Sequence, residues 1–227
     1  MRQVALAIVL FGVVRASGAP PPQVINPDRP GIADGSATVN SGVFQIETGV
    51  ERDDDDSQHT SSTPTLLRYG LTNSFELRVE TNGYQQDGDN GWAPVSIGFK
   101  KHFKDNPSLG VIGRVGQHAN GDLRLAADLS LGEKWAINPN VGVAFGRFTA
   151  ALAALTVQYN FSDTLNAFVD GAVQSPEERN GTSAVLLDTG VAWIIGRRTQ
   201  LDFSAGWGAH GTTTPNVFWS AGISRAF

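Results

Sequence analysis

Val217 to Phe227 reads VFWSAGISRAF, and this stretch decides the fold. Every second residue back from Phe227 is Arg225, Ile223, Ala221, Trp219 and Val217, while the residues between are Ala226, Ser224, Gly222, Ser220 and Phe218. One face is mostly apolar and the other mostly small or polar. Successive side chains of a β-strand point to opposite sides, so the pattern predicts a strand separating two different environments.

Working outward, the same period recurs back to Val43. Phe44, Ile46, Thr48 and Val50 oppose Gln45, Glu47 and Glu51; Leu67, Tyr69 and Leu71 oppose Arg68; Phe75, Leu77, Val79 and Thr81 oppose Glu76, Arg78, Glu80 and Asn82. Val95, Ile97, Phe99 and Phe103 oppose Lys100 and His102, with Lys101 the exception on the apolar side; Leu109, Val111 and Val115 oppose Arg114. Leu123, Leu125 and Leu129 oppose Arg124 and Asp128, and after Trp135 and Ile137 come Val141, Val143 and Phe145. Ala153, Leu155, Val157 and Tyr159 then oppose Thr156, Gln158 and Asn160; Leu165, Ala167 and Val169 oppose Asp170; Val185, Leu187 and Val191 oppose Asp188; Leu201, Phe203 and Trp207 oppose Asp202. Apart from Lys101 and Arg225 the charges fall on one face, over segments the length of a tilted membrane strand of about 9 to 11 residues.

The series predicts an all-β chain, a transmembrane up-and-down antiparallel barrel of about twelve strands, over residues 43–227. Its connectors fall into two sets. Thr72–Ser74, Lys104–Ser108, Gly132–Lys134, Ser162–Thr164 and Gly196–Gln200 are short, whereas Arg52–Ser62, Gln85–Gly91, Ala119–Asp122, Ser175–Thr182 and His210–Asn216 are on average longer and more polar; Gly146–Thr149 breaks the rule by being short. Short turns alternating with longer loops suit a barrel with both ends in the periplasm. Aromatic residues near both sets of strand ends fit two interfacial girdles. Pro139 fits this scheme least well, because a closed barrel has no edge strand to hold a proline; the seventh strand is expected to begin near Asn140, or the count shifts by two.

Upstream, Met1, Arg2 and Gln3, the apolar run Val4–Val14 and the small residues Ala16–Ala19 form a secretory signal peptide over residues 1–19, too short to span a bilayer. Residues 20–42 are rich in Pro, Gly, Asn and Ser and read as an extended periplasmic leader or a plug for the lumen. In the 227-residue chain there is no cysteine, which removes disulfides, thiolate metal sites and cysteine nucleophiles together. A net charge of -5 and no basic run longer than the pairs Lys100-Lys101 and Arg197-Arg198 leave no footprint for nucleic acid.

In a barrel the charged face points inward, which makes Glu47, Arg68, Glu76, Arg78, Glu80, Arg114, Arg124, Asp128, Asp170, Asp188 and Asp202 the candidate pore lining. The alternative is a salt-bridged lumen that closes itself. Asp28 and Arg29 of the leader are candidates for a plug that folds into the lumen, with Arg29 meeting the carboxylates. Phe227 is expected to face lipid at the periplasmic edge and to act as an assembly signal, and Arg225 to snorkel toward headgroups. The acidic run Asp53–Asp56 reads as a solvated loop rather than a calcium or lipopolysaccharide site, for it lacks EF-hand spacing.

The Asp28-Arg29-Pro30 element, Ser41-Gly42-Val43-Phe44-Gln45-Ile46-Glu47-Thr48-Gly49 and the ending Gly222-Ile223-Ser224-Arg225-Ala226-Phe227 resemble the outer-membrane transporter family associated with phenol-degradation (MetA-pathway) clusters. The resemblance runs from about Asp28 to the C-terminus; the acidic run and Arg225 depart from it. It implies an outer-membrane channel or transporter for small solutes, with no catalytic residues to carry over. The expected partners are membrane lipid and lipopolysaccharide, the barrel-assembly machinery and a small-molecule solute.

No enzyme chemistry is called for. Gly206-Trp207-Gly208-Ala209-His210-Gly211 matches GxGxxG, but Thr212–Pro215 is turn chemistry where a dinucleotide site needs a helix. The four histidines show no HExxH spacing and there is no GxSxG, so no catalytic residue, cofactor or metal is assigned. Two other readings compete: a soluble exported β-protein whose apolar faces pack together, and an outer-membrane hydrolase with His118 or His210 near the rim.

Overall fold

The structure is a computed structural model, and it describes residues 25–55, 58–86, 90–103, 106–176, 181–211 and 214–227. The signal peptide, the first residues of the leader and Asp56 of the acidic run lie outside the described residues. Twelve antiparallel strands form the sheet. They are β1 Phe44–Asp55; β2, in two segments, Gln58–Ser62 and Thr65–Thr72; β3 Phe75–Thr81; β4 Val95–Phe103; β5 Asn106–Val115; and β6, in two segments, Gly121–Ala127 and Leu129–Leu131. The others are β7 Trp135–Phe145, β8 Ala150–Asn160, β9 Leu165–Gln174, β10 Ala184–Ile195, β11 Thr199–His210 and β12 Val217–Ala226. Each pairs with the next in sequence, and β12 returns to β1 in register from Gln45 opposite Ala226 to Asp54 opposite Val217. The sheet is a closed up-and-down barrel, with no edge along its wall to recruit a foreign strand.

Strand β12 alternates as its sequence dictates. Val217, Trp219, Ile223, Arg225 and the following Phe227 are exposed, while Phe218, Ser220, Ser224 and Ala226 are buried. The Phe227 amide donates to the Phe44 carbonyl at 2.8 Å, which ties the last residue to the first strand, and the two rings lie 6.3 Å apart. Around the circumference the outward set is apolar, with Leu77, Ile97, Leu125, Val141, Leu155, Val169, Trp193 and Phe203 all exposed. An apolar surface that girdles a whole molecule far exceeds the patches soluble monomers carry, and lipid is the solvent that accepts it. At the short-turn end Trp135, Tyr159 and Phe161 stack edge to face, with centroids 4.9 and 5.0 Å apart, and Lys134 lies over the Tyr159 ring. That cluster suits an interface where one end of a ring is dry and the other wet.

Pro139 corrects the expectation attached to it. Strand β7 begins at Trp135, Pro139 sits within it opposite Leu155, and the β6–β7 register is the same on both sides of it. It marks neither a strand start nor a shift in count. Asp128 donates its backbone N–H to Ser108 on β5, so the neighbouring Ala127 turns its backbone groups toward β7, opposite a residue that has no N–H. Asn138 Nδ2 donates to the Ala127 carbonyl at 2.8 Å in its place. The missing ladder bond explains why β6 is divided at Asp128. Strand β2 is likewise divided next to Pro64, whose carbonyl still accepts from Gly49 at 3.2 Å.

The acidic run is also reassigned. Asp53, Asp54 and Asp55 continue β1 as a paired strand opposite Thr60, His59 and Gln58, rather than forming a loop, and Asp53 and Asp54 pair with Phe218 and Val217 on the other side. Arg52 and His59 both bond Asp54, at 2.9 and 2.6 Å. At the opposite end β5 begins at Asn106, inside the connector expected over 104–108. Arg225 is exposed, donates to Thr199 Oγ1 at 2.7 Å, and lies over the Phe227 ring.

Candidate functional site

Inside the wall the inward residues meet the leader. Residues 25–39 are buried apart from half-buried Ala37, yet none of them belongs to a strand. A chain segment without secondary structure must satisfy its amides and carbonyls some other way once water is excluded. Here the wall side chains do this. Glu47 Oε2 accepts from the amides of Asp28 and Arg29 at 2.8 and 3.0 Å, and Asp170 Oδ2 accepts from Ile32 at 2.5 Å. Asn140 Oδ1 accepts from Asp34 at 2.9 Å, Asp128 Oδ2 from Ser36 at 3.0 Å, and Glu76 Oε2 from Val39 at 2.7 Å. In the other direction Arg68 donates to the Asn26 and Ala37 carbonyls, Gln200 to Arg29 and Asn140 to Asp34.

The leader runs as a hairpin. It starts beside the β10–β11 turn, where the Ile25 amide bonds the Arg197 carbonyl and Ile25 packs on Ile194 and Ala226. Ile32 and Ala33 form its far end, against Ala154, Leu186 and Phe218. It returns past Ser36 to Thr38 and Ser41, which bond Asn73 in the β2–β3 turn. Asn26 Nδ2 donates to the Ala37 carbonyl at 3.1 Å and ties the two limbs together. Both ends of the hairpin therefore lie at the short-turn end of the barrel.

Two leader carboxylates sit at the centre of the charged network. Asp28 accepts from Lys100 Nζ at 2.6 and 2.7 Å and from Arg78 Nη1 at 2.6 Å, with Arg68 at 3.4 Å. Asp34 pairs with Arg114, with Arg124 at 3.3 Å and with Arg78 at 3.6 Å. Wall carboxylates complete the set: Glu47 and Glu76 hold Arg68 at 2.9 and 2.8 Å, Glu80 bridges Arg78 and Arg114 at 2.8 and 3.1 Å, and Asp122 bridges Arg114 and Arg124 at 2.9 and 2.8 Å. Burial alone would raise the pKa of the Asp28 carboxyl, but the charges of Arg68, Lys100 and Arg78 outweigh it and hold it below the ordinary carboxylate range.

Arg29 provides a third anchor, on the far arc. Its guanidinium meets Asp202 at 3.1 Å and donates to Ser220 Oγ at 2.7 Å. It lies over Gly222, where an added Cβ would stand 2.4 Å from Nε, so the bare backbone of β12 makes the space for it.

All eleven wall residues singled out in the sequence turn inward; ten are buried and Asp128 is half-buried. Glu47, Arg68, Glu76, Arg78, Glu80, Arg114 and Arg124 join one network, Asp202 belongs to the Arg29 anchor, and Asp128, Asp170 and Asp188 stand apart from both. Three partners went unselected in the sequence. Lys100 and Asp122 carried the same signal as their neighbours, since each lies two residues from an inward residue on its own strand, His102 and Arg124. Asp34 lies in the leader, where no period marks it. Among the described residues the buried cations of the wall, Arg68, Arg78, Lys100, Arg114 and Arg124, come from β2 to β6, whereas β9 to β11 contribute Asp170, Asp188 and Asp202. Beside Ile32 a cavity of about 30 Å³, lined by Leu152, Ala154, Ala172 and Leu186 among others, has room for a water or two.

Residues 27–227 match the sequence model of a family described as "Putative MetA-pathway of phenol degradation". No curated protein matches the chain in sequence. Among solved structures, an outer membrane channel from Pseudomonas putida F1 is similar, with a TM-score of 0.66 and 14% identity over 85% of this chain and 98% of that one. The KdgM porin is similar at a TM-score of 0.58 and 12% identity, over 81% of this chain and 99% of that one. Its complex with disordered oligogalacturonate aligns equally well, at 0.58 and 13% identity, with coverage of 81% and 99%. At such identities these likenesses speak to the barrel architecture.

Proposed function

The chain belongs to the MetA-pathway phenol-degradation family, and from that premise we propose that it is an outer-membrane channel passing small solutes passively through its charged lumen, with the leader as the element that closes it. The observation that carries this reading is the leader itself. Its described part contacts the wall mainly through polar side-chain bonds, with apolar packing at Ile25 and Ile32, rather than through strand ladders, and both ends of that part sit at the same mouth. A hairpin held this way can withdraw without being threaded through the barrel, and what it leaves behind is a polar, hydratable wall.

Withdrawal exposes an interior with two characters. The arc from β2 to β6 alternates cations and carboxylates and would orient a polar or anionic solute. Beside the Asp170–Asp188 row, Leu152, Ala154, Leu186 and Phe218 form an apolar patch that would receive a ring. Phenols and aromatic acids combine both features, so they are the solutes to test first. Nothing in this account requires catalysis, and the protein is read as a non-enzyme delivered to the outer membrane through a cleaved signal peptide.

One observation favours a second reading, a binding or structural barrel without transport. The network around Asp28 and Asp34 is nearly complete, and a closed arrangement of that kind resists opening. Swelling of liposomes containing the purified protein, in isotonic phenol, benzoate and sugars of graded size, separates the two. Swelling with the small aromatic solutes is the channel result; no swelling with any of them supports the structural barrel.

A further inference from the structure

One row of the inner wall departs from the pairing seen elsewhere. Thr156 on β8, Asp170 on β9 and Asp188 on β10 are direct cross-strand neighbours, and all three are at least 98% buried. Among the described residues no lysine or arginine forms an ion pair with either aspartate; the nearest leader cation, Arg29, is engaged by Asp202 and Ser220. Thr156 and Asp188 approach Asp170, and Ser204 approaches Asp188, yet Thr156 Oγ1, Asp170 Oδ1 and both Asp188 carboxylate oxygens make no hydrogen bond of good geometry. The next inward row is apolar, Ala154, Ala172 and Leu186, and Glu51 on β1 adds a further negative field at Asp188.

Two carboxylates side by side in a dry interior repel each other unless something positive stands between them. A buried threonine hydroxyl beside Asp170, without a hydrogen bond of good geometry, adds a neutral oxygen ligand. An all-oxygen donor set selects a hard cation over zinc or copper, and two negative charges match a divalent one. We infer that Thr156, Asp170 and Asp188 form a binding site for a hard divalent cation, with Ca2+ its natural probe and water completing the coordination.

The site has a consequence for the leader. Asp170 holds the Ile32 amide through its other oxygen, and the missing side chain of Gly31 lets the leader come that close, since a Cβ there would stand 2.4 Å from Asp170 Oδ2. A cation on Asp170 and Asp188 would fix the orientation of that carboxylate and so strengthen the hold on the far end of the hairpin.

The test uses full-length protein purified in detergent, stripped with EDTA and titrated with CaCl2 by isothermal titration calorimetry. Wild type is expected to show one saturable site, and D188N and D170N to show none at concentrations that saturate wild type. E133Q, at an exposed carboxylate in the β6–β7 turn, is expected to bind as wild type does. Heat-modifiable migration of each variant verifies the barrel. Absence of saturable binding by wild type with both CaCl2 and MgCl2 overturns the inference, as does D188N binding undiminished. So does an infrared carboxylic-acid band that persists at saturating CaCl2 and disappears in D188N, for the pair would then share a proton.

Discussion

Lys100 on β4 reaches Asp28 of the leader with its ammonium 2.6 and 2.7 Å from the two carboxylate oxygens, and neither residue is exposed by more than 1%. The contact joins the wall to a segment 72 residues earlier in the chain. It makes the leader a counter-ion to a wall that is otherwise too positive on that arc.

Removal of that counter-ion is therefore predicted to free the leader without opening the barrel. Breaking one partner of a buried pair costs about 3–5 kcal/mol, because the charge left behind is uncompensated. D28N leaves Lys100, Arg78 and Arg68 short of a negative charge while keeping the side-chain shape. Limited proteolysis of protein in liposomes is expected to cleave residues 25–41 faster in D28N than in wild type, with heat-modifiable migration unchanged.

Substitution over Arg29 separates anchor from wall. A methyl at Gly222 would first meet the end of the Arg29 side chain, which can move away, whereas one at Gly49 would meet the Ala221 carbonyl at 2.4 Å. G222A is predicted to loosen the leader and leave barrel assembly intact; G49A is predicted to impair assembly. Equal assembly yields for the two variants would contradict this.

The proline in β7 makes a prediction about a single hydrogen bond. N138A leaves the Ala127 carbonyl without the donor that replaces the missing N–H, at a cost of about 1–3 kcal/mol. N138A also removes the Asn138 bonds to Asp128 and Asn140, so the double variant N138A/P139A, which restores a backbone donor at residue 139, is expected to recover the part of the loss that belongs to the Ala127 carbonyl. The temperature at which the folded band converts on gels reads both, and additive losses would refute the substitution of one donor for the other.

These particulars show what the sequence disclosed and what it withheld. The closing strand was legible because two solvents act on its two sides, so Val217, Trp219 and Ile223 had to differ from Ser220 and Ser224. The wall charges were legible by the same parity. Their partners were not, because Asp28 and Asp34 sit in a leader without a period, and a bond such as Lys100 to Asp28 depends on where a nonrepeating segment lies. Pro139 misled because the rule against proline in a closed sheet is about a missing donor, and Asn138, its neighbour in sequence, supplies one from a side chain.

At the C-terminus, Phe227 is exposed, caps the Phe44 carbonyl and stands at the seam where β12 meets β1. Deletion of Phe227 is predicted to lower the yield of heat-modifiable protein in outer-membrane fractions. An unchanged yield would argue against a role for this residue in assembly.

The central claim, that the leader closes a conductive barrel, is tested most directly by planar-bilayer conductance of wild type against a variant lacking residues 20–41. The account predicts small or rare openings for wild type and a larger, steady conductance for the deletion variant. Equal conductance from two correctly folded proteins would contradict it.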